Sequence, residues 1–161
     1  LGVAGNQLAQ RAAQISFVQA AKLSGSKQSA EFNPVVPAGA FAAPYLCLSI
    51  TPGTPTYMAC QVTRTNADPI VRVFYAGIDG FRLLAEFNVG GLSVADKLRL
   101  EYDADTGVYA LKRNGVIFDV TGASGTIPAA SRPPASGIVG FRTTASTTNG
   151  AFADNVAFAL I

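Results

Sequence analysis

Short apolar runs separated by turn residues recur along most of this chain, about every eight to twelve residues, and this spacing most constrains its fold. In residues 96–103, apolar side chains alternate with charged ones, a pattern typical of a strand that buries one face. The pair Asn114-Gly115 separates two further runs and indicates a type I′ hairpin turn, because both central residues of that turn have positive φ. The sequence therefore predicts antiparallel strands joined by tight turns.

The same signals predict strands throughout residues 1–161 and a long surface loop over residues 121–136, which are rich in Gly, Ser and Pro. Residues 6–22 contain good helix formers, but their apolar positions lack a 3.6-residue period, so strands are preferred there. The start at Leu1 rather than Met indicates processing or a longer parent chain of which this domain is one portion. The predicted strands cover residues 2–4, 7–11, 15–21, 28–33, 45–51, 57–64, 70–76, 81–87, 96–103, 108–113, 116–120, 137–143 and 152–160.

The composition excludes several classes of function. The chain contains no His, which rules out His-based acid–base chemistry, His-activated nucleophiles and His-ligated zinc. A formal net charge of +2 gives no general reason to expect nucleic acid as a partner, and no apolar run approaches the roughly 18 residues needed for membrane insertion. Hydrophobic residues make up 49% and charged residues 14%, which suits a subunit that buries further area in an assembly.

Several short motifs follow one another along the chain: Arg64, Tyr75, residues 96–101, Tyr109, Asn114-Gly115, residues 137–141 and Asp154-Asn155. In this order they resemble the concanavalin A-like (laminin-G-like) jelly-roll modules found in extracellular bacterial proteins and in phage tail and virion proteins. The resemblance implies an all-β fold, an antiparallel β-sandwich of jelly-roll type, in a single domain. It also implies an extracellular or virion location. One fold hosts lectins, glycosidases, adhesins and scaffolds, so the fold alone does not select a function.

The arrangement of the acidic residues argues against an enzyme. Glycosidases of this fold resemble one another in a Glu-x-Asp-x-x-Glu strand motif, and glycoside hydrolysis needs two carboxylates in one cleft. The chain lacks this motif, and Glu31, Glu86 and Glu101 lie in separate predicted strands. We therefore expect a non-catalytic structural or assembly module of a virion, a tail fibre or an extracellular surface structure, with self-association or other subunits as partners. The alternative is a glycan-binding, lectin-like module for host or cell-surface carbohydrate.

A glycan-binding surface would need polar and aromatic side chains on one sheet face or one loop edge. Arg64 and Arg72 lie on predicted strands and offer hydrogen-bond donors to sugar hydroxyls. Tyr57, Tyr102 and Tyr109 are candidates for the rim, because Tyr combines an apolar ring with a polar hydroxyl. The alternative places the arginines at ordinary outer positions, where their stems cover apolar surface.

Asp154 is the candidate ligand of a structural calcium ion, the only cofactor considered. The family often places calcium near a C-terminal Asp-Asn pair, which the resemblance assigns here to Asp154-Asn155. The alternative is that this pair forms a bulge or turn and hydrogen-bonds its own backbone.

Cys47 and Cys60 lie in the two arms of one predicted hairpin. If the arms pair symmetrically about residues 52–55, Cys47 falls opposite Cys60 at a separation that permits a disulfide. A slip of one residue would place them on opposite faces. Two buried thiols are at least as compatible with the sequence.

Overall fold

The computed structural model describes residues 2–4, 7–10, 16–34, 45–51, 53, 56–64, 68–143 and 150–161. These residues form strands, turns and loops with no helix, so none of them builds a helix able to cross a membrane. The strands are β1 (Gly2–Ala4), β2 (Gln7–Gln10), β3 (Ser16–Lys22), β4 (Lys27–Pro34), β5 (Tyr45–Thr51), β6 (Thr56–Arg64), β7 (Pro69–Gly77), β8 (Gly80–Asn88), β9 (Leu98–Asp103), β10 (Val108–Arg113), β11 (Val116–Ile117), β12 (Ser124–Thr126), β13 (Ile138–Thr143) and β14 (Gly150–Leu160).

The strands build two antiparallel sheets. An eight-stranded sheet has the order β1-β2-β14-β4-β9-β10-β11, with β12 also paired to β10. A six-stranded sheet has the order β3-β13-β5-β6-β7-β8. The chain crosses between the sheets several times, so strands distant in sequence, such as β4 and β14, are neighbours.

The two sheets pack face to face around one apolar core. Alternate residues of each strand point inward, as the period of two requires, and the buried set continues from one sheet to the other. Fully burying one large apolar side chain contributes about 1.5–3 kcal/mol, so this layer supplies the main stabilisation of the sandwich. Its principal members are Ala30, Phe32, Leu98, Leu100, Tyr102, Tyr109 and Leu111 from the eight-stranded sheet, and Leu46, Leu48, Met58, Cys60, Val62, Val71, Val73, Tyr75 and Val139 from the six-stranded sheet.

A crossing loop, residues 127–137, closes one end of the sandwich. It contacts the eight-stranded sheet at Pro133, whose carbonyl accepts a 2.6 Å hydrogen bond from the buried Tyr102 hydroxyl. On either side of this point it contacts the six-stranded sheet and its β7–β8 turn, where Ser131 Oγ donates to Asp79 Oδ2 at 2.8 Å and Ser136 Oγ donates to the Ile50 carbonyl at 2.5 Å. The loop therefore holds the two sheets together at the end where the β7–β8 and β9–β10 turns lie.

The predicted all-β sandwich is confirmed, and most predicted strands match within two residues. Two differences lie at β10. The strand predicted over residues 116–120 is only Val116–Ile117, and a short strand, Ser124–Thr126, lies inside the predicted loop. Both segments pair with the same edge of β10. β11 pairs with Lys112 and Arg113, and β12 pairs with residues 108–110. Because the two segments share one edge, neither extends along all of β10.

Candidate functional site

The outer face of the eight-stranded sheet is a lattice of ion pairs. Glu101 lies between two cations, with Oε2 2.8 Å from Lys112 Nζ and Oε1 3.0 Å from Arg99 Nε. Lys97 Nζ lies 3.2 Å from Glu31 Oε1 on the neighbouring strand. Ion pairs of this kind on a solvent-facing sheet contribute little to stability, about 0–1 kcal/mol each. They make this face polar.

Part of the outer face of the six-stranded sheet is apolar, aromatic and buried instead. Cys47, Ile50, Tyr57, Ala59 and Phe74 form a second buried cluster, separate from the core between the sheets. The Phe74 ring is its centre and contacts the Tyr45 ring edge-on at a centroid distance of 4.6 Å. We call this group the outer aromatic cluster.

The outer aromatic cluster continues to the edge of the sheet through one contact. The Phe81 ring of β8 lies 5.0 Å from the Phe74 ring, yet Phe81 remains 55% exposed. Beside it, Ile78 is 79% exposed and Leu83 is 51% exposed. The β7–β8 hairpin therefore ends in an apolar tip, which we define as residues 78–83.

Two of the predicted ligand residues, Tyr57 and Arg72, lie on this same outer face. Arg72 Nε donates to Glu86 Oε2 at 2.5 Å, and Arg72 Nη1 lies 3.3 Å from Gln61 Oε1. Tyr57 is only 3% exposed, so its ring contributes to the cluster more than to an open surface. Arg64 ends β6 at a register position of the opposite face, and its side chain lies outside the described part of the chain.

The prediction of Tyr102 and Tyr109 as ligand-facing residues is wrong. Both are buried in the core between the sheets, where Tyr102 donates to the Pro133 carbonyl and Tyr109 donates to the Gly122 carbonyl at 3.2 Å. Burial raises the pKa of both phenols. Tyr102 shares the alternation of Leu98 and Leu100, and that signal already placed it on the inward face.

The symmetric pairing of Cys47 with Cys60 is also wrong. Leu46 pairs with Cys60 and Cys47 pairs with Ala59, so the register differs by one residue from the symmetric one. Cys47 consequently joins the outer aromatic cluster and Cys60 joins the core, so the two sulfurs lie on opposite faces of the sheet and are not bridged to each other. Burial raises the pKa of the Cys60 thiol to about 12, which keeps that group protonated and unreactive.

A β-bulge at Ser49 causes the shift, and sequence reasoning missed it. The register of β5 against β6 changes between Leu48 and Thr51, and Ser49 has a φ of 51°. Its backbone N–H donates to Oε1 of Gln28 at 2.8 Å across the sandwich. Gln28 itself is fully buried and donates to the Gly25 carbonyl at 3.0 Å. This polar link between the sheets stabilises the irregular backbone at Ser49.

A second polar network missed from the sequence centres on Asp96. Arg113 donates to Asp96 Oδ1 from Nε at 3.0 Å and to Oδ2 from Nη2 at 2.9 Å. Asn114 Nδ2 and the Ser93 backbone N–H each donate to the same carboxylate at 2.8 Å. The network ties the loop before β9 to the β10–β11 hairpin, whose Asn114 and Gly115 have the positive φ values predicted for a type I′ turn.

The calcium site predicted at Asp154 stays a prediction. The backbone of β14 is bulged against β4 between Asp154 and Ala157, which agrees with the alternative that Asp154-Asn155 forms a bulge. The Asp154 side chain lies outside the described residues. Among the side chains that are described, no three His, Cys, Asp or Glu groups come together as a metal site.

No protein-family model matches this chain, and neither does any curated protein. What the chain does is therefore inferred from its own residues and from the two contrasting outer faces of the sandwich.

Proposed function

We propose that this chain is a non-catalytic, jelly-roll structural module that associates with itself or with other subunits of a virion, a tail fibre or an extracellular surface structure. The observation that carries the proposal is the apolar tip, where Ile78, Phe81 and Leu83 each expose more than half of their surface. Contiguous exposed apolar side chains of this kind mark interaction sites. The low charged share of 14% leaves little like-charge repulsion to oppose association.

The positions of the three glutamates support the non-catalytic part of the proposal. Glu31 and Glu101 belong to the ion-pair lattice of the eight-stranded sheet, and Glu86 is paired with Arg72 on the six-stranded sheet. Each carboxylate is therefore accounted for by a strand-surface ion pair. The resemblance to virion and extracellular modules supports the proposed location.

The test of self-association is the native mass in solution, measured by light scattering across a concentration series. We expect a dimer or a larger closed assembly whose population rises with concentration. A monomer at every concentration would overturn the self-associating form of the proposal.

A second function, glycan binding, is favoured by one observation. Arg72 and Glu86 form an ion pair on the outer face of the six-stranded sheet, and their side chains remain 32% and 43% exposed, which leaves polar groups accessible to sugar hydroxyls. A glycan array probed with and without calcium tests it. Binding that is lost with Arg72→Gln and kept with Lys97→Gln, on the other sheet, would support this function, and an array without hits would exclude it.

The structural calcium at Asp154 belongs to the same proposal and has its own test. A bound ion stabilises the folded state by mass action. We therefore expect EDTA to lower Tm and added calcium to restore it, with Asp154→Asn insensitive to both. An unchanged Tm in EDTA would contradict calcium binding.

A further inference from the structure

The turn between β10 and β11 consists of Asn114 and Gly115, an Asn-Gly pair that is exposed to water. Both residues have positive φ, as the type I′ turn requires. In an Asn-Gly pair the backbone nitrogen of the glycine can attack the side-chain carbonyl carbon of the asparagine, because glycine has no side chain to obstruct the approach. The turn therefore carries the reactive groups for a covalent change without any enzyme.

This reaction closes a succinimide ring and releases ammonia. The Gly115 nitrogen gives up its proton to hydroxide and bonds to Cγ of Asn114, and the bond from Cγ to Nδ2 breaks as ammonia leaves with a proton from water. Water then opens the ring at either carbonyl, which gives aspartate or isoaspartate. Water is the only co-reactant, and the rate rises with pH because the attacking nitrogen must lose its proton.

Both polar atoms of the Asn114 side chain are held by neighbouring residues. Nδ2 donates to Asp96 Oδ1 at 2.8 Å, and Oδ1 accepts from the Lys97 backbone N–H at 2.8 Å. Ring closure rotates the carboxamide and the adjoining backbone of Asn114 together, so these bonds must break before it occurs. The negative charge of Asp96 also opposes the negative charge that develops on the attacking nitrogen and on Oδ1.

The product would replace a hydrogen-bond donor with an acid inside the Asp96 network. A carboxylate at position 114 would stand at hydrogen-bonding distance from Asp96, which Arg113 holds in its ionised form. Two ionised carboxylates at that distance repel each other. In isoaspartate the main chain is also longer by one carbon atom, which a two-residue turn does not accommodate.

We propose that Asn114-Gly115 is a site of spontaneous deamidation that the Asp96 network keeps closed in the folded chain. Local opening of the β10–β11 hairpin releases the carboxamide and allows the reaction. The product then prevents the network from forming again, so the link between the loop before β9 and the hairpin is lost permanently. The site thereby records opening of this end of the sandwich.

Peptide mapping by mass spectrometry, after incubation at mildly alkaline pH, measures the reaction at each site. Arg142 places Asn114 and Asn149, which precedes Gly150 in the second Asn-Gly pair, in different tryptic peptides. In denaturant both pairs should convert. In the folded chain Asn114 should convert roughly tenfold more slowly than in denaturant, because its two side-chain hydrogen bonds must first be lost. Equal rates at Asn114 in the two states would overturn the proposal.

Asp96→Ala removes the acceptor of the Asn114 amide and should speed conversion in the folded chain several-fold. Asp119→Ala, which removes an exposed carboxylate just beyond β11, is the charge-matched control. Gly122→Ala places a Cβ against the Leu84 carbonyl and is the control for a general loss of stability. Neither control should change the rate. Equal rates for Asp96→Ala and wild type, or controls that react as fast as Asp96→Ala, would overturn the proposal.

Asn114→Asp reproduces the aspartate product and does not depend on the folding of Asp96→Ala. It should lower Tm at neutral pH, since two carboxylates then oppose each other. The loss should be smaller in combination with Asp96→Asn, whose amide can donate to the new carboxylate, and the double-mutant cycle isolates this coupling. A loss of Tm that is equal in both backgrounds would show that the product does not act on the network and would contradict the proposal.

Discussion

Asp96 joins two parts of the chain that a strand prediction treats separately. Its carboxylate accepts hydrogen bonds from Arg113 and Asn114 of the hairpin and from Ser93 of its own loop. The Arg113 guanidinium holds the pKa of the Asp96 carboxyl well below its ordinary value of 3.8, and the bonds from Ser93 and Asn114 act in the same direction against the effect of burial. This residue therefore contributes stability in its ionised form.

We expect Asp96→Asn to lower the free energy of unfolding by about 2 kcal/mol, because it removes the charge that pairs with Arg113. Urea denaturation at neutral pH measures the change. Asp119→Asn, at an exposed position, is the control and should stay within about 0.5 kcal/mol of wild type. Equal stability of both variants would show that the network contributes nothing.

The stabilities of wild type and Asp96→Asn should also depend differently on pH. The pKa of Asp96 is lower in the folded state than in the unfolded state, so its contribution is complete above the ordinary value near 3.8 and is lost as the pH falls below it. The stability gap between wild type and Asp96→Asn should therefore narrow as the pH falls from about 6 toward 2. A gap that is constant with pH would contradict this assignment.

Ser49 gives a second residue-scale prediction, because its φ of 51° is costly for a residue with a Cβ. Ser49→Gly and Ser49→Ala both remove the hydroxyl and differ only in the Cβ. We expect the Gly variant to be more stable by about 0.5–1 kcal/mol in urea denaturation. At Ser29, in the regular strand β4, the Ala variant should instead be more stable than the Gly variant. A Gly variant that is the more stable at both positions would contradict the bulge at Ser49.

At the scale of elements, one close contact, between Gly122 and the Leu84 carbonyl, covers part of the sheet edge at β8. Gly122 has a φ of +85° and lies against the Leu84 carbonyl, whereas Gly115 has a φ of +84° with nothing within 4 Å of the Cβ position. The two glycines therefore have nearly the same φ and differ in their surroundings. Loss of the Gly122 contact would expose more of an edge strand that natural sheets usually protect.

The comparison of Gly122→Ala with Gly115→Ala isolates that contact. We expect Gly115→Ala to lower the free energy of unfolding by about 1 kcal/mol, through the backbone conformation alone. Gly122→Ala should lower it by about 3 kcal/mol, because the new methyl group also pushes residues 118–123 away from β8. Thermal unfolding of the two variants measures the difference. Equal losses would mean that segment 118–123 does not pack against β8 in solution.

At the scale of the whole molecule, β14 lies inside the eight-stranded sheet, which also contains β1. β14 lies between β2 and β4 and pairs with both, whereas β1 is the edge strand and, among the strands described, pairs with β2 alone. A strand inside a sheet provides hydrogen bonds on both sides, so its loss leaves two unpaired edges.

Removal of residues 150–161 should therefore abolish cooperative unfolding, while removal of residues 1–4 should leave it intact with a lower Tm. Circular dichroism melting curves and the dispersion of amide signals in NMR spectra distinguish the two outcomes. A folded, cooperative protein without residues 150–161 would contradict the central position of β14.

Strand positions could be predicted from local signals, because alternation and turn residues act over a few neighbours. The Asn114-Gly115 hairpin shows this most clearly, since both residues adopt the expected positive φ. The β12 strand could not be found in this way, because Ser124–Thr126 has weak strand preference and pairs only where β10 offers an edge. Of the residues predicted as ligand-binding, Tyr57 and Arg72 lie on one outer face and Tyr102 and Tyr109 lie in the core; whether that face binds a ligand stays a prediction.

The amino-acid sequence by itself determined the all-β class and the residues that share a face, because a strand repeats every two residues whatever surrounds it. The tertiary structure decided which faces are covered, where each register shifts and which edge stays open. The bulge at Ser49 depends on Gln28 of the opposite sheet, and the open tip at residues 78–83 depends on where Gly122 reaches β8. Each depends on a contact between distant parts of the chain, which no local pattern encodes.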